Sequence, residues 1–297
     1  MSKTELKNTF HQAEVNLPPD LLLVILGPTA SGKTKLAVQL AQSIQGEIIS
    51  IDSRQVYRNM DIGTGKDLQE YKDVPHHLIN ICEPGEKYNV AQFEKDFQQA
   101  YDSICAQQKQ AIACGGTGLY LQTALQEQPY IQVPVDLNLR LALGPLTKEQ
   151  LIYKLSQYTI PETFHVDYST HKRLIRAIEI MSWLSKNPET PTQPVRTYPH
   201  CIFGINPDLD LRRAKITERL HRRLEDGLVE EVQALLQNGL THQSLQYYGL
   251  EYKYVSAYLL GEITKERLAE KLETEIHRYA KRQMTYFRKM EKDGISI

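Results

Sequence analysis

The sequence predicts an α/β fold: a parallel sheet with a phosphate-binding loop, flanked by helices, with a small helical insert. Three observations support this fold. Short apolar runs alternate with helical patterns from residue 21 to residue 123, which is typical of a parallel sheet covered on both faces. The first apolar run leads into a glycine-rich turn that opens a helix. Residues 126–134 form a connection containing Pro and Gln, residues 136–165 carry short helical patterns, and we expect residues 125–165 to form the insert.

Composition limits the class of protein. The chain has 297 residues, 41% of them hydrophobic and 24% charged, which is ordinary for a globular protein. No apolar run approaches the length of a membrane span, so no membrane partner is expected. The four cysteines show neither C-x-x-C pairing nor metal-ligand spacing, which predicts reduced thiols and a cytoplasmic location. Residues 1–20 are polar, lack a secretory apolar region and are expected to form a flexible tail.

The first turn fits the P-loop pattern G-x-x-x-x-G-K-[ST] at every fixed position. Residues 21–26 before it predict a buried strand, and residues 35–44 after it predict a helix. Glycines let the backbone turn tightly, so its N–H groups and the helix N-terminus face an anion. The side chains add a lysine charge and a hydroxyl that can ligate Mg²⁺. The predicted diphosphate site is Gly27, Pro28, Thr29, Ala30, Ser31, Gly32, Lys33 and Thr34, with Thr34 as the metal ligand.

Polar residues also follow the next two predicted strands. Residues 47–52 end in Asp52, which opens a dense polar segment, and residues 110–114 lead to Thr117 in a glycine-rich turn. The carboxyl ends of parallel strands meet at one edge of a sheet, where open α/β sheets bind ligands. The turn after residue 114 has no carboxylate, so its hydroxyl and backbone amides suit a neutral polar group or a phosphate.

These segments together resemble the tRNA dimethylallyltransferases. The matching motifs are residues 27–34, 52–64 and 115–120, and residues 172–179, 212–232 and 281–288 match further family segments. The resemblance implies transfer of a dimethylallyl group to the exocyclic amine of the adenosine 3′ of the anticodon. It also implies that the P-loop holds the diphosphate of dimethylallyl diphosphate rather than ATP. The implied partners are that donor, Mg²⁺ and the tRNA anticodon stem-loop, bound by a monomer.

The resemblance also assigns roles to single residues. Asp52 would accept a proton from the amine, Thr117 would bind the base or the donor, and Arg219 would reach the diphosphate. One departure stands out, because Glu251 occupies a position where the family commonly has a basic residue. The implied tRNA-binding residues are Asp52, Ser53, Arg54, Gln55, Thr117, Arg140, Lys172, Arg173, Arg176, Lys281, Arg282 and Arg288.

The residues by themselves leave structural alternatives open. Asp52 could ligate Mg²⁺ through water, Thr117 could cap the helix after Gly118, and Arg54 could pair with Asp61 to hold a loop. The basic helices could be solvated faces, and the net charge of −1 gives no general attraction to nucleic acid.

Two other function classes also remain. One is a small-molecule P-loop kinase or an adenylate isopentenyltransferase acting on free nucleotide. The other is a nucleotide-gated RNA-binding module without covalent chemistry. We expect the catalytic core to comprise residues 21–124 and 166–297, with the helix over residues 171–185 returning to it, and residues 125–165 to contact tRNA as the insert.

Overall fold

The computed structural model describes residues 17–126, 130–187 and 196–297, and it divides into two compact units. The first contains the described residues up to Gln126 and from Thr197 onward, and the second contains those between Glu127 and Arg196. Residues 1–16 of the expected tail lie outside the described residues.

The first unit is built on a five-stranded parallel sheet in the order β3-β2-β4-β1-β5. β1, β2 and β4 are buried along their whole length, as expected for strands with helices on both faces. Pairing aligns Leu26 of β1 and Ile51 of β2 with Gly115 of β4, so these three strands end at one edge. The strands are β1 (Leu22–Leu26), β2 (Glu47–Ile51), β3 (His76–His77), β4 (Ala111–Gly115) and β5 (His200–Gly204).

The helices of the first unit cover the two faces of the sheet unequally. Leu23 and Ile25 of β1 belong to the smaller apolar cluster, which the first helix completes, while Leu22 and Val24 belong to the larger one. In the larger cluster, apolar side chains of the strands pack with those of helices that come later in the chain. The described helices are α1 (Lys33–Ile44), α2 (Val90–Ala106), α3 (Gly118–Leu125), α4 (Leu137–Leu143), α5 (Lys148–Leu155), α6 (His171–Lys186), α7 (Leu209–Glu225), α8 (Leu228–Gln237), α9 (His242–Leu245), α10 (Leu250–Leu259) and α11 (Lys265–Lys292), with a 3-10 helix at Leu68–Tyr71.

The longest helix, α11, follows its predicted pattern. Thr264 caps it by accepting a hydrogen bond from the Arg267 N–H, and Leu268, Leu272 and Ile276 are buried in the larger cluster. The opposite side of α11 remains exposed and carries basic residues. One helix thus completes the core of the first unit and presents a basic surface.

The second unit contains α4, α5 and α6 around its own apolar core. Leu151 and Leu155 of α5 pack with Leu174 and Ile178 of α6. Thr147 forms the expected cap of α5, with a capping box to Gln150. The expectation that α6 returns to the catalytic core was wrong: its periodicity revealed an apolar face, but this face packs on α5. The insert therefore extends past residue 165.

No helix in the described ranges combines the length and apolar character needed to cross a bilayer. The cysteines, Cys82, Cys105, Cys114 and Cys201, are free thiols.

Candidate active site

The P-loop joins β1 to α1 in the conformation that anion binding needs. Gly32 has a φ of 81° and ends the turn as the N-cap of α1, with no side chain capping the helix within the described residues. The first N–H groups of α1 therefore remain available to an anion. A Cβ at Gly27 would lie 2.7 Å from the Ser31 Oγ and 3.1 Å from the Ile205 carbonyl oxygen, so the loop requires glycine there.

The polar side chains of the loop face the same space. The Ser31 hydroxyl is buried and has no hydrogen-bond partner in the described part of the chain. The Lys33 Nζ lies 3.4 Å from the Pro28 carbonyl oxygen. Burial lowers the pKa of the Lys33 amine, and the Asp52 carboxylate opposes this shift. A bound diphosphate would favour the charged lysine and could supply the partner that Ser31 lacks.

Asp52 and Thr117 lie at the aligned ends of β2 and β4. The Asp52 Oδ1 accepts a hydrogen bond from the Arg54 N–H at 2.9 Å, and the Ser53 N–H donates to the Thr117 Oγ1 at 3.1 Å. Thr117 is the N-cap residue of α3, yet its side chain forms no capping bond among the described residues. The capping alternative was therefore wrong. Because the Thr117 oxygen accepts from Ser53, its O–H can still donate to a ligand.

Arg54 and Gln55 have different surroundings. The Arg54 guanidinium lies over the Tyr247 ring, 5.1 Å from the centroid, whereas Asp61 pairs with the buried Lys66. The proposed Arg54–Asp61 pair is therefore absent from the described structure. Gln55 uses both ends of its amide within the protein: its Nε2 donates to the Gly65 carbonyl at 3.1 Å, and its Oε1 accepts from the Ser50 hydroxyl at 2.9 Å.

Arg219 projects from α7 toward the loop after β2. Its Nη2 donates to the Gly65 carbonyl at 3.1 Å and to the Asp67 Oδ2 at 2.7 Å, while its buried Nε has no partner among the described residues. One turn later, Arg223 is 9% exposed, and its Nη1 lies 3.8 Å from the Glu251 Oε1. Burial, reinforced by Arg219, lowers the pKa of Arg223 to about 10. Burial raises the pKa of Glu251, and Arg223 opposes that shift.

Three residues of the site, Arg223, Glu251 and Gln283, were not predicted from the sequence. Gln283 of α11 accepts from the Thr29 N–H at 2.9 Å and donates to the Gly116 carbonyl at 2.9 Å, so it links the P-loop to the turn after β4. Three features of the sequence could have indicated them. They are the i, i+4 spacing of Arg219 and Arg223, the acidic residue Glu251 where the family commonly has a basic one, and a glutamine within the basic segment of α11.

These groups line one cavity of about 640 Å³ within the first unit. Of the predicted site residues it includes Thr29 to Thr34, Asp52, Arg54, Gln55, Arg219 and Arg282. Lys281 lies with Arg282 at a neighbouring groove on α11, and Arg288 is exposed on the same helix. Gly27 and Pro28 are buried at the base of the loop, and Ser53 and Thr117 connect the strand ends.

Three of the four predicted residues of the second unit form ion pairs. Arg140 donates from Nε and Nη2 to the Glu179 carboxylate at 2.9 and 2.8 Å, and Arg176 donates to the same carboxylate. These hydrogen bonds lower the pKa of Glu179 against the opposing effect of burial. Arg173 pairs with Asp167, whereas Lys172 is exposed. Arg140 and Arg176 therefore have a structural role in the described unit, whatever else they bind.

The donor set fits a magnesium ion held mainly by a phosphorylated ligand. Among the described residues, no group of three or more His, Cys, Asp or Glu side chains is placed to hold a metal by itself. Thr34 and Asp52 nevertheless line the same cavity, and both supply oxygen. Mg²⁺ usually keeps several waters and takes one or two protein ligands plus substrate phosphates, so this sparse set is adequate.

Comparison with known proteins then identifies the family. The family model described as IPP transferase matches residues 55–290. The chain belongs to this family. A second model, described as isopentenyl transferase, matches residues 21–74, which include the P-loop.

Similar proteins and solved structures agree with this assignment over nearly the whole length of the chain. A tRNA dimethylallyltransferase 2 from Bacteroides fragilis is 47% identical over 95% of this chain and 92% of its own length. One from Shewanella sediminis is 47% identical over 93% and 91%, respectively. A tRNA isopentenylpyrophosphate transferase from Bacillus halodurans has a similar solved structure, with a TM-score of 0.66 and 34% identity over 91% of this chain and 87% of that one. A eukaryotic dimethylallyltransferase acting on tRNA gives a TM-score of 0.67 and 25% identity over 90% and 69%.

Proposed function

We propose that this IPP transferase moves a dimethylallyl group from dimethylallyl diphosphate to the N6 amine of the adenosine 3′ of the anticodon in tRNA, releasing diphosphate. The observation that carries the proposal is a single cavity lined by the P-loop, Arg219 and Asp52. It combines a diphosphate site with a carboxylate that can accept a proton. The names of the relatives supply the prenyl donor and the tRNA acceptor.

The donor diphosphate would bind to the P-loop amides and to the Lys33 ammonium, with Arg219 on its other side. Thr34 would hold Mg²⁺, with Asp52 reaching the ion through water, and the bound ion would supply further positive charge to the diphosphate. Breaking the carbon–oxygen bond places negative charge on the leaving diphosphate. Preorganised cations and N–H groups stabilise that charge more in the transition state than in the ground state, which accelerates the reaction.

The adenine N6 would attack the C1 carbon of the dimethylallyl group. A nitrogen–carbon bond forms, the carbon–oxygen bond breaks, and the diphosphate leaves with that electron pair. The amine nitrogen gives one proton to the Asp52 carboxylate, which leaves the product amine neutral. The Asp52 Oδ1 already accepts from the Arg54 N–H, so Oδ2 is the oxygen available to the amine.

The adenosine must leave its stack to reach this carboxylate. Arg54 over Tyr247 offers a flat cationic surface at the cavity, suited to an extruded nucleotide. Thr117 can donate its hydroxyl proton to the base, while Ser53 and Gln55 hold the surrounding loop. For the remaining anticodon stem-loop contacts we propose Arg140, Lys172, Arg173, Arg176, Lys281, Arg282 and Arg288, whose cationic groups can bind phosphates.

The proposal is tested by incubating the purified protein and Mg²⁺ with dimethylallyl diphosphate or ATP, and with unmodified tRNA or free AMP as the acceptor. Nucleosides from the digested RNA, and the AMP from the free-nucleotide reactions, are then identified by mass spectrometry. We expect prenylated adenosine only from tRNA with dimethylallyl diphosphate, and none after Mg²⁺ is chelated. Prenylated AMP with unmodified tRNA would instead indicate a free-nucleotide enzyme. ATP consumption would indicate a kinase, and RNA binding without product would indicate a binding module.

A further inference from the structure

Arg223 is a buried cation whose hydrogen-bonding capacity is mostly unused. Its Nε and Nη2 atoms are buried and have no hydrogen-bond partner among the described residues. Its ion-pair partner, Glu251, lies 3.8 Å from Nη1, which is an ion-pair distance but too long for a hydrogen bond. A buried guanidinium with unsatisfied N–H groups is costly unless it meets an anion.

The space around Arg223 is the diphosphate end of the cavity. A small void beside the main cavity is lined by Thr29 and Ala30 of the P-loop together with Arg219, Arg223 and Glu251. Arg223 also lines the main cavity itself. The arginine therefore faces the loop that would hold the phosphates, from the same direction as Arg219 one turn earlier on α7.

The loop after β2 leaves room for both guanidinium groups. Gly65 has a φ of +65°, and a Cβ there would lie 1.7 Å from the Arg223 Nη2 and 2.4 Å from the Arg219 Nη2. Glu231 holds the start of this loop by accepting from the Asp61, Ile62 and Gly63 N–H groups at 2.7 to 3.0 Å. The two arginines thus lie side by side against a fixed backbone without a side chain between them.

We propose that Arg223 is a second arginine ligand of the donor diphosphate, and that Glu251 is the counter-ion that positions it before the diphosphate binds. Arg223 offers two N–H groups without a partner among the described residues to the phosphate oxygens, while Glu251 offsets its positive charge beside Arg219. The inference rests on the proposed function, because it assumes that the P-loop holds a diphosphate.

The experiment measures binding of inorganic diphosphate, with Mg²⁺ present, to the full chain by calorimetry. Arg223→Met removes the guanidinium and keeps most of the side-chain length. We expect its diphosphate affinity to fall about 10- to 100-fold, the range for lost hydrogen bonds to a charged group. Arg213→Met is the matched control: Arg213 lies on the same helix, is exposed and pairs with Asp210, so its loss should change affinity less than about 2-fold.

A second variant separates contact from net charge. Arg223→Met with Glu251→Gln removes both charges, so the net charge of the site stays that of the unaltered protein. Removing a buried ion pair as a unit is also tolerated better than removing one partner, which protects the fold. We expect the double variant to keep the loss of affinity, and in tRNA prenylation assays to raise the KM for the donor with little change in the KM for tRNA.

Two results would overturn the inference: wild-type diphosphate affinity in Arg223→Met, or its return to wild-type affinity in the double variant, which would make Arg223 only a partner for Glu251. The proposed function fails separately. If the unaltered protein binds diphosphate but does not prenylate tRNA, the function is wrong and the Arg223 contact still stands or falls on the binding data.

Discussion

At the residue scale, the two oxygens of Asp52 have different surroundings, so one substitution can remove the base and keep the hydrogen bond that holds the loop. Oδ1 accepts the Arg54 N–H, which fixes the turn after β2, and Oδ2 is left for the substrate amine. Asp52→Asn keeps an oxygen for Arg54 but removes the base. We expect kcat for tRNA prenylation to fall about 10²- to 10⁴-fold, the usual contribution of a general base. Single-turnover assays with saturating donor and tRNA measure the change.

Affinity for tRNA distinguishes this role from recognition. The dissociation constant of Asp52→Asn for unmodified tRNA should stay within about 2-fold of the wild-type value, since the loop is retained. Asp73→Asn, at an exposed position of the same unit, serves as the control for charge loss and should leave both quantities unchanged. A large loss of tRNA affinity with normal chemistry would assign Asp52 to binding instead.

The site residues that could be predicted from the sequence are those that directly follow a strand. The P-loop, Asp52 and Thr117 follow strands, so their meeting at one edge follows from parallel pairing alone. Arg223 and Glu251 come from different helices, and only the packed structure shows that they are neighbours. Gln283 lies among lysines and arginines in the sequence, a pattern typical of an exposed helix face, so its burial and its contact with Thr29 were not predicted.

At the element scale, α6 shows why a family motif does not by itself define a contact. Glu179, 1% exposed, accepts hydrogen bonds from Arg140, from Arg176 and from the Asp136 N–H at 2.7 Å. Arg176 also donates to the Val133 carbonyl at 2.7 Å. Arginines of the predicted RNA-binding set therefore hold α6 to the chain segment that precedes α4.

Arg176→Ala should consequently destabilise the second unit. It leaves a buried carboxylate with one arginine fewer, which should cost about 1.5–3 kcal/mol of local stability. Hydrogen exchange of peptides within residues 130–187 should become faster, and tRNA affinity should fall with it. Lys172→Ala, at an exposed position of the same helix, is the control and should leave exchange unchanged. Weaker tRNA binding by Arg176→Ala with unchanged exchange would show a direct contact rather than a structural role.

At the scale of the whole molecule, the parallel sheet and the start of the insert were predictable, but the strand order and the end of the insert were not. Alternating apolar runs and helices require parallel strands, whereas β3 has only two residues and gives no periodic signal. The alternation of strands and helices does not determine which strands are neighbours, and the observed order is β3-β2-β4-β1-β5. The second boundary of the insert lies near residue 196 and not residue 165 because α6 packs on α5, and an amphipathic pattern does not show which element it packs against.

The end of the sheet opposite the active site is held by a buried charge. Glu47, at the start of β2, accepts hydrogen bonds from the Lys109 ammonium at 2.5 Å and from the His77 ring at 2.7 Å. His77 lies on β3, and Lys109 precedes β4, so one carboxylate connects three neighbouring segments. Burial opposes ionisation of Glu47, but the two donors together lower its pKa below the usual value.

This shift predicts how stability changes with pH. A carboxyl group whose pKa is lower in the folded state stabilises the fold above its unfolded pKa, about 4.3, and loses that contribution as the pH falls through the folded value. Glu47→Gln should therefore lower the free energy of unfolding of the first unit by about 1.5–3 kcal/mol at pH 7. The difference from wild type should shrink as the pH is lowered from about 7 to 3.

Hydrogen exchange of β2 and β4 peptides is the suitable probe, because the single tryptophan, Trp183, belongs to the second unit. Glu83→Gln removes an exposed pair with Arg58 and should change stability by less than about 0.5 kcal/mol. An effect of Glu47→Gln that is equally large at both ends of the pH range would show that packing, and not the carboxylate charge, holds this edge of the sheet.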